Sequence, residues 1–176
     1  MSISISSIYF SPVKSISFHK IIKCQIKKNI GIENDRLFAF SRIIDKEKAQ
    51  RMEQEPAYRK LSNFLTLKNT PALNKFSFKY IEGELELFND KKKIISIDPD
   101  NPHEISLIEK EILNLDGLVK GPIFLLKNEN KPFFDTNSGG EIMNSISLIN
   151  LNSIRDFETK MDKKVEYHRF RGNFYR

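Results

Sequence analysis

A single cysteine, Cys24, stands in these 176 residues. One thiol permits no internal disulfide, and a zinc site built on cysteines cannot be assembled from this chain alone. Histidine is almost as scarce: His19, His103 and His168 have no His or Cys at metal-ligand spacing, so no metal site is expected from them. No apolar run approaches the ~20 residues that span a bilayer as a helix. The first ten residues also lack the basic start and long apolar block of a secretory signal, so the expectation is a cytoplasmic protein with no membrane partner. No nucleophile-elbow pattern accompanies Ser147, which removes a triad with His168 and Asp135 from consideration. Gly139-Gly140 has neither the Lys-Ser/Thr nor the helix context of a phosphate loop.

What is present is a soluble globular composition, 39% hydrophobic and 30% charged, with a net charge of +6. That charge favours an anionic partner, but lysine predominates and is spread throughout, as on a solvated surface.

Apolar and serine residues alternate over 3–9, predicting a half-buried strand that ends at Pro12. A second strand is expected over 22–26, placing Cys24 as a buried structural thiol, and a third over 37–44 after the Asn29-Ile30-Gly31 turn. Three strands on short links predict an antiparallel sheet. Charged helix formers follow over 45–59, with Pro56 as a stop. Short strands are expected over 64–67, 76–80, 84–88 and 93–97, with a tight hairpin at Glu82-Gly83. Residues 98–102 read as a linker, and 104–115 as a helix with an apolar stripe closed by Gly117. Beyond it come strands at 123–126 and 146–149, a polar loop over 127–140, a helix from Asn150 or Asn152 to about residue 161, and a last strand over 165–170. The fold class expected is α+β with a barrel-like antiparallel sheet and inserted helices.

Three strings combine cations with turn or hydrogen-bonding residues. In SPVKS (11–15), Pro12 fixes the backbone ahead of Lys14 and Ser15, an ammonium and a hydroxyl presented together. In GIENDRLF (31–38), a turn at Asn34 and Asp35 precedes Arg36, whose fork can grip a phosphate or carboxylate. In HRFRGN (168–173), a strand would put Arg169 and Arg171 on one face, with Gly172 allowing close approach and Asn173 adding an amide. Each alone is matched by a bland reading: an exposed lysine, a self-satisfied turn, an edge strand with solvated arginines.

Taken as an ordered set, IYFSPVKSI (8–16), GIENDRLFAF (31–40), QRMEQEP (50–56), FFDTNS, SLINLNSI and RFRGNF (169–174) make the chain resemble the MOSC family, the molybdenum cofactor sulfurase C-terminal domain with its N-terminal β-barrel domain. Within that family it is similar to the subgroup containing the mitochondrial amidoxime-reducing component. The resemblance implies an antiparallel β-barrel N-terminal domain over 1–120, with the inserted helix, followed over 121–176 by the start of a MOSC β-barrel-like domain. It implies a molybdenum atom on a molybdopterin, an intact activity of reducing N-hydroxylated or N-oxygenated compounds, and an iron–sulfur, flavin or haem protein as electron donor. By motif position, Lys14, Ser15, Arg36, Asp135, Thr136, Arg171 and Asn173 are the expected cofactor-binding residues. Gly172 stands where the family has proline, Ser138-Gly139-Gly140 lengthen the Asp135 loop, and Asn144 or Ser145 takes the place of a following serine.

The family's metal-ligating cysteine follows the late Arg-Asn motif, and this sequence stops at Arg176, so a C-terminally incomplete chain is expected. No residue is therefore assigned a catalytic or metal-ligating role. A non-catalytic pterin- or phosphate-binding module is the alternative. A basic β-barrel nucleic-acid binder is a further one, disfavoured because most of the aromatics alternate with apolar residues as core positions do.

Overall fold

The structure, a computed structural model, describes residues 4–16, 18–115, 117, 119–137, 140–143 and 145–176. Strand β1 (Ser7–Phe10) runs antiparallel to β2 (His19–Ile21), with Tyr9 opposite Lys20. Strands β3 (Ile26–Lys27) and β4 (Gly31–Ile32) form a small hairpin, for which Gly31 supplies a backbone φ of 95°. Strand β5 (Phe38–Arg42) leads to helix α1 (Lys46–Gln54), whose first turn is capped by the Asp45 carboxylate accepting from the Lys48 amide at 2.8 Å. Pro56 then opens a 3₁₀ turn. Strands β6 (Phe76–Ile81), β7 (Glu84–Asn89) and β8 (Lys92–Ile97) make an antiparallel meander, and Glu82 and Gly83 turn its first corner, both at positive φ. Helix α2 (Pro102–Leu115) follows a turn in which the Glu104 carboxylate accepts from the Asp98 amide and the Asn101 side chain. After strand β9 (Ile123–Lys127) come β10 (Leu148–Ile149), helix α3 (Leu151–Met161) with Asn150 as its cap, and β11 (Phe174–Tyr175).

Strand β5 is the spine. Its Phe38 and Phe40 face a core shared with Phe78, Leu85, Leu87, Ile108 and Ile112, while Ala39 faces a second core with Met52, Phe64 and Phe133. A strand covered on both faces needs a continuous apolar run, and FAF supplies it. Removing Phe38 or Phe40 to Ala would cost about 3–5 kcal/mol at such sites.

Strand β5 pairs along its length with β9, Phe40 opposite Leu125, so residues on either side of position 121 share one sheet and one core. A second sheet orders β10, β11, β1 and β2, with β1 joining the two ends of the sequence. The Val13–Phe38 bridge ties that sheet to β5, and Ser41–Phe64 ties β5 to the segment after α1.

The architecture is α+β, with three α-helices and four small sheets among the described residues, and these strands do not close into one hydrogen-bonded barrel. Several expected strands differ. The first is Ser7–Phe10, and Ile3 lies outside the described residues. The 22–26 strand does not form: Ile22 is 94% exposed, and Cys24 is half-buried outside any strand, because the alternation there finds no partner. Of the three early strands, β5 pairs with β9 and not with its sequence neighbours. In place of a strand over 64–67, Leu61–Asn63 is a 3₁₀ turn and Phe64 makes only a bridge. The final strand expected over 165–170 is a 3₁₀ turn, Tyr167–Phe170, so Arg169 and Arg171 do not share a strand face.

Candidate functional site

Lys14 leaves β1's end inside a tight turn. Its amide donates to the Phe38 carbonyl at 2.8 Å, and the following Ser15 adopts φ 60°. The side chain is driven inward, 4% exposed, where Nζ donates to the Phe133 carbonyl at 3.0 Å and to Asp135 Oδ1 at 2.7 Å. Burial pushes this ammonium below the usual lysine range, and Asp135 works against that shift.

The Asp35-Arg36 turn is built against the same segment. Asp35 is 1% exposed; its carboxylate accepts from the Ser11 amide at 2.9 Å and from Asn173 Nδ2 at 3.2 Å, and it pairs with Arg36. Burial raises its carboxyl pKa, with Arg36 the strongest opposing influence. Arg36 itself has φ 55°, and its guanidinium lies 4.7 Å from the Phe134 ring centroid and 5.2 Å from that of Phe18.

Arg171 ends the last 3₁₀ turn at φ 51°, donates from Nη2 to the Ile16 carbonyl at 2.8 Å, and stacks on Phe18 at 4.6 Å. Burial, followed by the nearby Arg36 charge, lowers its pKa. Asn173 is 2% exposed and its amide is used within the protein, donating to Tyr9 and Asp35 and accepting from the Ser147 amide and hydroxyl. It is a clamp between β1, the Asp35 turn and the segment before β10.

These pieces enclose a cavity of about 610 Å³, whose wall includes Lys14, Ser15, Arg36, Asp135, Arg171 and Asn173. Thr136 lies outside it, in an adjoining cavity of about 300 Å³ that shares Lys14 and Asp135. Lys68 adds a further cation to the larger wall, and Ser145 and Ser147 add hydroxyls. Against Lys14, Arg36, Lys68 and Arg171 stands, among the described residues, one wall carboxylate, Asp135, with Asp35 buried behind. Ser138, Gly139 and Asn144, singled out in the sequence, are outside the described residues. Gly172 permits a close approach: a Cβ there would meet Ile149 Cγ1 at 2.5 Å, and its amide donates to the Tyr175 hydroxyl.

Two side chains that build the surroundings of the cavity carried no signal in the sequence. Arg59, 5% exposed, donates to the carbonyls of Met52, Glu53 and Pro132 and lies 4.2 Å from the Phe133 ring centroid, which joins the end of α1 to the loop bearing Asp135. Its partners are main-chain oxygens, invisible to any motif. Phe18 contacts two guanidinium groups that only the fold brings to one ring. The histidines lie elsewhere: His168 packs edge-on to Tyr9 and beside Tyr167, and His19 edge-on to Phe10. Among the described residues, no group of three or more His, Cys, Asp or Glu is placed to hold a metal ion. No described helix is long and apolar enough to cross a membrane.

No family model matches this chain, and no match was found among curated proteins or solved structures.

Proposed function

We propose that the 610 Å³ cavity holds the phosphate-bearing pterin of a molybdenum cofactor, in a MOSC-type protein with a β-barrel N-terminal domain. In intact form it would serve, in the cytoplasm, the reduction of N-hydroxylated or N-oxygenated compounds, with an iron–sulfur, flavin or haem protein as electron donor. The observation that carries this reading is the pairing of Arg36 and Arg171 on one ring, with the Asp35 carboxylate, the one buried carboxylate among the described residues, paired to Arg36. Two neighbouring guanidinium groups with one counter-charge favour a ligand anion, and a phosphate suits their planar forks.

The donor set fits the group. Arg36 and Arg171 would hold the phosphate, Lys14 and Ser15 would add an ammonium and a hydroxyl, and Ser145 and Ser147 offer hydroxyls toward a pterin edge. Phe134 and Phe18 keep water from the guanidinium faces and so strengthen their attraction for an anion. When bound, the metal and its dithiolene supply the electron-transfer chemistry.

A second reading, a pterin- or phosphate-binding module without catalysis, is favoured by the position of Cys24, which does not line the cavity. The nucleic-acid reading gains nothing, since Phe38, Phe40, Phe64, Phe78 and Phe133 are spent in the core.

The test is expression of the full chain in cells that make the cofactor, followed by metal analysis and fluorescence of the oxidised pterin. Near-stoichiometric molybdenum and pterin are expected for the cofactor protein, and pterin without metal for the binding module. Neither species, at full occupancy of the host pathway, would sink both readings.

A further inference from the structure

The two carboxylates that answer the cavity's cations are held very differently. Asp35 is locked by the Ser11 amide, Asn173 and Arg36, and it cannot leave without undoing the turn. The Asp135 side chain is 65% exposed against 5% for Lys14, and Lys14 Nζ is the donor that reaches its carboxylate among the described residues. A buried ammonium is thus neutralised by an acid that stands mostly in water.

We propose that Asp135 is an exchangeable counter-anion: its carboxylate holds, at Lys14, the position that a ligand's own anionic group takes on binding. The inference rests on the cavity being an anion site and deepens that reading by naming what the ligand must bring. A monocarboxylate that displaces Asp135 replaces like with like and gains little. A phosphate monoester brings more charge and three acceptor oxygens, so it can accept at Lys14 while leaving oxygens for the other cations of the same wall. Asp135 therefore sets a threshold that admits dianionic phosphate esters and rejects simple carboxylates. This differs from the contact role that motif position implies for Asp135, because here the residue opposes the ligand. Lys14 has a second partner beside Asp135, the Phe133 carbonyl, which accepts from Nζ at 3.0 Å.

The experiment titrates the full chain with inorganic phosphate and with acetate, by calorimetry at low ionic strength, for wild type, Asp135→Asn and Asp135→Ser. Removing the competing charge is expected to tighten phosphate binding about tenfold in both variants, the scale of one close charge in a partly buried site. Detectable acetate binding is expected in the variants alone. Carbodiimide labelling of carboxyl groups, read by mass spectrometry, should increase at Asp135 of the wild type when phosphate is added. Unchanged or weaker phosphate binding in the variants would overturn the inference and make Asp135 a positioning residue for Lys14. Absence of phosphate binding in all three proteins at millimolar concentration would overturn it as well. A chain that binds phosphate with the expected Asp135 effect, yet takes up no pterin in cofactor-producing cells, supports this inference while refuting the cofactor reading.

Discussion

Arg36 and Arg171 stack on the same ring, Phe18, at 5.2 and 4.6 Å, and both do so from a left-handed backbone. That conformation costs a non-glycine residue roughly 1–2 kcal/mol, and the like charges add to the cost. Ser15, on the same cavity wall, shares the conformation. Three left-handed residues, Ser15, Arg36 and Arg171, thus border the same cavity, two of them bearing its cations.

Arg171→Gln should separate binding from folding. The glutamine keeps an amide donor on a shorter side chain and removes one of the two stacked charges. Phosphate affinity is expected to fall about tenfold, as for loss of one charge-assisted contact, with the melting temperature unchanged or raised. A large drop in melting temperature would show that Arg171 braces the fold.

Asn173→Ala should behave in the opposite way. It strips donors from the buried Asp35 carboxylate and the Tyr9 carbonyl, and leaves the Ser147 amide without its acceptor. A loss of about 2–4 kcal/mol is expected in urea denaturation, because several buried polar groups are left unsatisfied together.

Arg59→Met tests the brace beneath the Asp135 loop. The thioether fills the space beside Phe133 but removes a charged donor from the Met52, Glu53 and Pro132 carbonyls, of which Glu53 keeps Asn128 Nδ2 and Pro132 keeps the Phe134 amide. Destabilisation of about 3 kcal/mol is expected. Hydrogen exchange should quicken at the Phe133 amide, which donates to the Arg36 carbonyl, with no comparable change in the β6–β8 meander.

His19 should govern part of the acid response. Burial, helped by the charge of Lys79, lowers its pKa from 6.5 to about 4, and its Nδ1 is buried without a partner. A depressed folded-state pKa means that the unfolded chain binds the proton first. The stability is present above pH 6.5 and is lost as the pH falls toward about 4. Since the ring is partly solvated, the loss should amount to about 2 kcal/mol, less than the full shift implies. His19→Leu should flatten this portion of the stability profile measured by denaturation between pH 7 and 4. An unchanged slope would place the acid sensitivity elsewhere.

Much of the frame was legible because it is written locally. The Glu82-Gly83 corner, the Asn150 cap and the Ile108–Ile112 spacing of α2 each depend on a few adjacent residues. The strands that misled are those whose fate depends on a distant partner. Alternation at 22–26 states which side chains could share a face, but no neighbour covers it, and Ile22 is left in water. Residues 165–170 read as a strand too, yet 167–170 turn, which brings Arg171 onto Phe18 and the Asn173 amide to the Tyr9 carbonyl. The cations of the site stood out beside their turn residues. Arg59 and Phe18 did not, because carbonyl oxygens and ring faces leave no pattern in a sequence.

The placing of β1 between β2 and β11 has a kinetic consequence. Ser6 donates to the carbonyl of Tyr175, 169 positions away, so the sheet that frames the cavity is closed by the longest-range hydrogen bond among the described residues. Loop-closure entropy delays such contacts until the intervening chain is already compact. The β6–β8 meander, made entirely of neighbouring strands, can form early, and the cavity between the chain's two ends assembles last. Joining the termini and reopening the chain at Glu82-Gly83 would reverse that order, speeding the closure of β1 on β11 at the expense of the meander.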